Sequence, residues 1–430
     1  MIVYSEPEMS KRRRLLSNDS LPTTIFDPVH REYELAAEIM DIINTGVFQR
    51  LRRLKQLATT HWVWLGATHT RFEHSISVAY LAGHLATTLQ RKQPELCISD
   101  RQILLVQLAG LLHDVGHGPF SHLFDDVFLS NSHSPMAHHE QRSVAIVTQL
   151  LTESAFSYTA EEIAFVQSLI APSKGQEGFL YHIVANQVNH LDVDKMEYIK
   201  RDARACGLSS GGFDTDTMRI INAARVIDGH ICYHKKVYED IYNLFQTRYR
   251  LHTTVYRHPV VVAIHHMVAD ALRASDIPLE QSIETLTTFY KFDDGILDTL
   301  RHNDTMAGAI VRRIDERDLY KVAVTYKSTK PWETAPMSSA LATEEIAASD
   351  IIVDCSCVGF TGKADGHPMD SIRFYDNSRN TKSFVITRRS VSTLLTPRYC
   401  EYWTRIIVKS EKHVATAQKS WERWKCAHRQ

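Results

Sequence analysis

Between Thr23 and about Asp276, apolar residues recur at three- and four-residue intervals, the spacing of helices with one buried face. Glu32 to Ile43 and Phe48 to Leu57 both carry this period, and Asn44-Thr45-Gly46 between them is a turn signal. A long helix is predicted from Arg71-Phe72-Glu73-His74 through Leu89. There His74, Val78, Leu81 and Leu85 share one face, which turns His74 towards the core. The run Ile103 to Gly110 has the length and period of a buried helix, stopped by Gly116, Gly118 and Pro119. His138-His139-Glu140-Gln141 and the stretch Asn189 to Lys195 each open a further helix.

After about residue 277 the texture changes. Residues 326–348 are rich in Ser, Thr, Pro and Ala, as in a loop or surface insertion. Ile351-Ile352-Val353, Ser371 to Tyr375 and Ser383 to Thr387 read as short strands. Tyr399 to about Cys426 reads as a helix again, with Trp403, Trp421 and Trp424 as apolar anchors. The expected architecture is therefore mainly α: a tail over 1–22, a helical catalytic half over 23–280 and a smaller α/β lobe over 281–430. No internal repeat is visible.

The formal net charge of -1 excludes a globally basic nucleic-acid binder but leaves a local basic patch open. With 44% hydrophobic and 23% charged residues, the composition is that of an ordinary globular protein. The unusual figure is 23 histidines, which favours metal or acid-base chemistry. The seven cysteines form no Cys-x-x-Cys pair, and Cys355-Ser356-Cys357 is too close for a shared zinc loop. They read as reduced thiols. Lys11-Arg12-Arg13-Arg14 lies in a polar, solvated tail and resembles a nuclear import signal. No signal-peptide core and no membrane-spanning window is seen, so the expected location is intracellular, nuclear and/or cytoplasmic, without membrane partners.

The densest chemistry lies in Leu111 to His122, where His113 and Asp114 fall at the end of a rigid element. Neutral imidazole and ionised carboxylate are the usual first ligands of borderline-hard divalent metals. A lone His-Asp pair is more often surface or cap chemistry, and a histidine on an apolar face more often a core residue bonded to a carbonyl. The further histidines and acids along the same half shift that balance. Several helices, each giving one or two inward polar groups, is how metal sites within bundles are assembled.

Taken in order, Phe26-Asp27-Pro28-Val29-His30, Phe48 to Leu57, Arg71-Phe72-Glu73-His74-Ser75, His113 to His122, His139-Glu140-Gln141 and Asp192-Val193-Asp194-Lys195 resemble the HD-domain superfamily of metal-dependent phosphohydrolases. Within it, the likeness is to the sterile-alpha-motif and HD-domain deoxynucleoside triphosphate triphosphohydrolases of animals. It covers the chain from about residue 24 to the last helix, more loosely after 280. Residues 1–22 are too few to form the sterile-alpha-motif domain, so no counterpart of it is expected. The resemblance implies an HD-domain helical core with a smaller α/β C-terminal lobe. It also implies hydrolysis of deoxynucleoside triphosphates (dNTPs) to deoxynucleoside and inorganic triphosphate.

By that resemblance His74, His113, Asp114 and Asp194 hold one divalent metal (Fe, Zn or Mn), leaving positions open for water and a phosphate oxygen. Asp192 is the competing carboxylate, read as a helix cap or a partner of the ligands. His117, His122, Asp125 and His139 match the acid-base group. His122 is expected to protonate the leaving alkoxide with Asp125 orienting it, and His117 and His139 stand close by. Arg71, Lys195 and Arg248 match phosphate-contacting positions, Tyr198 donates a hydroxyl, and Mg²⁺ accompanies the triphosphate. Gln56 and Asp202 match positions that bond the 3′-hydroxyl. Leu57 and Tyr256 match those that crowd the 2′ carbon, an apolar wall that disfavours ribonucleotides.

The animal enzymes are switched on by nucleotides, GTP among them, bound between subunits of a tetramer. Here Asn44 replaces the guanine-reading Asp and Thr23 stands in place of a phosphate-contacting Lys, while Gln49 and Arg52 are retained. An amide pairs less well than a carboxylate with guanine's two N–H groups. In the second regulatory pocket Thr217, His234 and Asp240 fall where the family has Arg, Arg and Asn, and Arg257 replaces a Gln near the base edge. Catalysis is therefore expected without GTP activation, or with a response to another nucleotide, in a homo-oligomer such as a dimer or tetramer. Two other readings stay open. One is an HD-type phosphatase or phosphodiesterase acting on monophosphates or cyclic dinucleotides. The other is a catalytically idle binder of single-stranded nucleic acid using Arg50, Arg52, Arg53 and Lys55.

Overall fold

Strand alternation and helix capping decide where the elements begin. In the computed structural model, residues 21–208, 215–332, 337–360, 367–377, 382–386 and 400–428 are described. The basic cluster Lys11 to Arg14, with its import-signal reading, lies outside them. A hairpin of β1 (Thr23–Asp27) and β2 (Arg31–Leu35) precedes α1 (Ala37–Ile43). Glu32 to Leu35 is thus a strand where a helix was expected. Glu32 and Glu34 are exposed while Tyr33 and Leu35 are buried, and this period of two prevailed over the three-four spacing. The expected helix Phe48 to Leu57 shrinks to the turns Gly46–Gln49 and Arg50–Arg53. Beyond them the backbone extends, Gln56 N donating to His69 O (3.0 Å) and Arg71 N to Leu54 O (2.9 Å).

The long helix is α2 (Arg71–Lys92), begun where Thr70 N donates to the Glu73 carboxylate at 2.8 Å. Then follow α3 (Asp100–Leu112), capped by Ser99, α4 (His139–Thr152), α5 (Ala160–Ile170) and α6 (Val193–Ala205). α2 packs against both α3 and α6 and buries His74, Val78, Leu81 and Leu85 on one face, as the spacing predicted. The strands β3 (Ala224–Ile227) and β4 (His230–His234) interrupt the helical half before α7 (Tyr238–Leu251) and α8 (Pro259–Arg273).

The remaining strands are β5 (Lys321–Ser328), β6 (Ile351–Gly359), β7 (Arg373–Tyr375), β8 (Phe384–Val385) and β9 (Cys400–Val408), followed by α9 (Val414–Ala427). Residues 326–348 are therefore only partly loop, since they include the end of β5 and the short helix Met337–Leu341. Tyr399 to Cys426 is not one helix: its first part is the central strand of an antiparallel sheet ordered β5-β9-β6. Trp403 to Val408 are all buried, and a continuous apolar run suits a strand covered on both faces as well as a buried helix. The β-branched Ile406-Ile407-Val408 favour the strand. Trp421 and Trp424 of α9 pack over that sheet with Leu341 and Ile406. β7 instead pairs parallel with β4 in a sheet ordered β3-β4-β7-β8, and Phe374 joins the helical core. The stretch beyond 280 thus contributes to both packing units. Among the described residues none of the seven cysteines is in a disulfide, and no helix is long and apolar enough to cross a membrane.

Candidate metal centre and active-site cleft

Three helices deliver four ligand-type side chains to one point. α2 carries His74, the end of α3 carries His113 and Asp114, and the first turn of α6 carries Asp194. His74 Nε2 lies 3.2 Å from Asp194 Oδ1 and 3.4 Å from Asp114 Oδ2. His113 Nε2 lies 3.4 and 3.5 Å from the same two oxygens. Ligands about 2.1 Å from one ion stand roughly 3.0 Å apart at right angles and 3.4 Å apart in a tetrahedron, so these spacings suit a shared cation. Both Nε2 atoms are buried and without a hydrogen-bond partner, which an ion at that point would relieve.

The far nitrogens are held. His113 Nδ1 bonds Gly110 O at 2.7 Å, and His74 Nδ1 meets the Glu197 carboxylate. Asp194 keeps 28% of its side chain exposed, giving the centre an open side. Burial would raise its carboxyl, but the His113 and His74 rings beside it hold it far below the usual range, hence ionised. Asp192 accepts from Lys195 N at 2.9 Å and caps α6, the lesser role assigned to it.

The loop after α3 runs against α4 because Gly116 and Gly118 carry no Cβ. One at Gly116 would lie 2.4 Å from His139 O, and one at Gly118 2.3 Å from the Phe124 ring. His117 and His139 then stack with centroids 3.7 Å apart, and the His122 ring stands 5.0 and 5.3 Å from them. These three rings are a second set whose nitrogens lie close enough to share an ion, though none of the metal-centre residues belongs to it. Asp125 does not meet His122, as the sequence reading paired them. Its Oδ2 accepts from His139 N (2.9 Å) and faces His139 Nδ1 (2.8 Å), while Oδ1 meets Arg142. The π-helical turn Phe124–Phe128 turns Asp125 inward and leaves His122 mostly exposed, 3.9 Å from Asp126. Burial, Arg71 and His139 pull the His117 imidazole well below its ordinary value, so it is neutral.

The expected phosphate contacts line a strip beside the centre, each already held. Arg71 meets Asp114 and donates to Ser121 Oγ (2.8 Å), and Lys195 Nζ donates to Asp192 (2.9 Å). Arg248 donates to Tyr198 Oη (3.0 Å) and to Gly359 O (2.9 Å). Of the residues expected to meet the sugar, Asp202 bonds His69 Nε2 (2.7 Å) and the Tyr256 hydroxyl (2.5 Å). Gln56 Oε1 is buried with no partner, and Leu57 packs against the core.

Asn44, Gln49 and Arg52 line a separate cavity of about 680 Å³, where Arg52 lies over the Phe72 ring at 3.5 Å and donates to Gln49 (2.8 Å). Thr217 is buried, Asp240 pairs with Arg219 (3.3 Å), and Arg257 is turned onto Asp354. The run Arg50 to Lys55 is no continuous basic face. Arg50 is buried and Arg53 pairs with Asp293 at 2.5 Å. Sequence reasoning missed Glu197 and Arg201. The only signal for them was their position three and seven residues after Asp194, on the inward face of α6.

An HD domain model matches residues 71–185, and an HD associated region model matches residues 215–356. The chain is similar to the "deoxynucleoside triphosphate triphosphohydrolase SAMHD1 homolog" of Dictyostelium discoideum, at 34% identity over 93% of this chain and 80% of that protein. It is similar also to the "deoxynucleoside triphosphate triphosphohydrolase SAMHD1" of Bos taurus, at 35% identity over 93% of this chain and 77% of that one. With the Homo sapiens protein of the same name the identity is 33%, over 94% of this chain and 73% of the relative.

Proposed function

The chain belongs to the SAMHD1 family of HD-domain deoxynucleoside triphosphate triphosphohydrolases, and from that membership we propose that it cleaves dNTPs to deoxynucleoside and inorganic triphosphate. The observation that carries the reading is the convergence of His74 and His113 on Asp114 and Asp194, each imidazole Nε2 lying within 3.5 Å of an oxygen of both carboxylates. A divalent metal held there supplies Lewis-acid charge at the α-phosphorus and an acidified water. The two-nitrogen, two-carboxylate set suits Fe, Zn or Mn.

The side chains do the rest. Arg71, Lys195, Arg248 and the Tyr198 hydroxyl take the triphosphate, which Mg²⁺ would accompany to offset its charge. Gln56 Oε1 accepts the 3′-hydroxyl, for which it is a buried acceptor without a partner. Leu57 and Tyr256 close on the 2′ carbon and leave a ribose hydroxyl no partner. As the bond at the α-phosphorus breaks, the 5′ oxygen leaves as an alkoxide and needs a proton. His122, the exposed ring of its cluster, gives that proton, and the His139–Asp125 pair stands beside it, the His139 ring 5.3 Å from that of His122.

Asn44, Gln49 and Arg52 line the cavity that would take a regulatory nucleotide, with guanine weakly read, so turnover proceeds without GTP. The protein works as a homo-oligomer inside the cell, in nucleus or cytoplasm. The deciding experiment incubates metal-loaded protein with each dNTP and each ribonucleotide and identifies the phosphorus products by ³¹P NMR. Inorganic triphosphate from dNTPs alone is expected. Monophosphate or pyrophosphate release would replace this reading by the phosphatase one.

A further inference from the structure

Between His117 and His122 the chain makes a turn that side chains rarely allow. Phe120 (φ 62°) and Ser121 (φ 57°) are consecutive non-glycine residues in the left-handed region. Such a turn persists only where the surroundings over-determine it. What holds it comes largely from outside the residues that match the HD domain. Phe120 N donates to Asp294 Oδ1 at 2.6 Å, and Lys55 N donates to Asp294 Oδ2 at 2.8 Å. Ser121 Oγ donates to Lys55 O at 2.7 Å, closing the same junction from the other side. Arg50, buried over the Phe289 ring, adds a second brace by donating to His117 O (2.9 Å) and Phe292 O (2.8 Å).

One carboxylate therefore ties two loops, the first leading into Gln56 and Leu57 and the second lying between two imidazoles of the acid-base cluster. Among side chains of that size only an ionised carboxylate offers an acceptor to both N–H groups, since an amide would aim its own donor at one of them. Burial pushes the Asp294 carboxyl up to about 6, with Asp293 adding to the rise and Lys55 opposing it. Arg50 also faces it, and Arg53 is drawn off by Asp293. The fold thus keeps an ionisable group where ionisation is costly.

We propose that Asp294 is a positioning residue of the reaction, its two oxygens setting the spacing between the sugar-binding edge at Lys55–Leu57 and the turn that aims His122 at the leaving oxygen. The inference rests on the triphosphohydrolase reading. It predicts a defect confined to the step that needs a proton.

The test compares wild type and Asp294→Asn on dTTP and on its analogue with sulfur in place of the bridging 5′ oxygen, whose thiolate leaves without protonation. With metal content and melting temperature monitored, Asp294→Asn should lose at least about tenfold in kcat on dTTP but less than about threefold on the sulfur analogue. Equal losses on both substrates, or none on dTTP, overturn the proposal. Should Asp294→Asn fail to fold, Asp294→Glu, which keeps both acceptors on a longer stem, carries the same comparison. Wild-type protein that releases no triphosphate would sink the functional reading instead.

Discussion

Glu197 meets Nδ1 of His74 from a position one helical turn beyond Asp194, so α6 both supplies a candidate ligand and orients the ring opposite it. Burial would raise the Glu197 carboxyl, but Arg201 and His74 hold it well below the usual carboxylate range. Arg201 donates to it at 2.6 Å and is itself tied to Asp27 at 2.8 Å, so the carboxylate cannot turn away. Replacing it by an amide keeps the shape and removes the charge that strengthens the imidazole as a ligand. Glu197→Gln should weaken metal binding by about 10- to 100-fold, read by chelator competition. Unchanged affinity would show that the ring needs no such partner.

Removal of the ion is the complementary test. Protein dialysed against a chelator should release no triphosphate from dTTP, and Mn²⁺, Fe²⁺ or Zn²⁺ should restore release. Asp194→Asn should stay inactive under the same reloading and carry less metal by elemental analysis.

The pairing of Asp125 with His139 and Arg142 gives a different signature. Asp125→Asn should lower kcat by about two to four orders of magnitude, the usual worth of general acid-base work, with metal content unchanged. Loss of metal in step with activity would reassign Asp125 to the centre itself.

Asp294 allows a sign to be predicted for stability. Its folded-state carboxyl is raised to about 6 from 3.8, so the native state binds the extra proton between those values. The contribution is therefore present at low pH and is lost as pH rises through about 6. Relative to Asp294→Asn, wild type should lose stability from pH about 4 to 6, by up to about 3 kcal/mol, and then level off. Denaturant unfolding of both proteins across that range reads it. A wild type that gains stability relative to Asp294→Asn as pH rises would refute the burial argument.

The proposed regulatory role of the cavity at Asn44 is tested by one carboxylate. Purified protein should hydrolyse dTTP without GTP, and Asn44→Asp should add a GTP response by restoring two acceptors for guanine. An absolute GTP requirement in the wild type would show that Asn44 suffices.

The helical period of α2 placed His74 inward, and His113 with Asp114 were legible at the end of a buried helix. The partners of the acid-base rings were not. Asp125 lies three residues from His122, and a helical spacing would join them. The π-helical turn rotates it instead towards His139, 14 residues away. β9 was misread because a continuous apolar run carries no period that separates strand from helix, and β2 because its two alternations are too short to outweigh the helical spacing that follows them.

Local chemistry along the chain determined the order of the helices, their caps, and which imidazoles and carboxylates face inward, since each depends on neighbours within a turn or two. Tertiary structure alone decided which oxygen each nitrogen meets. Glu197 reaches His74 across 123 residues and Asp294 reaches Phe120 across 174. Such meetings depend on how closely whole helices pack and on loops that glycine or strained backbone lets pass, which no local pattern encodes.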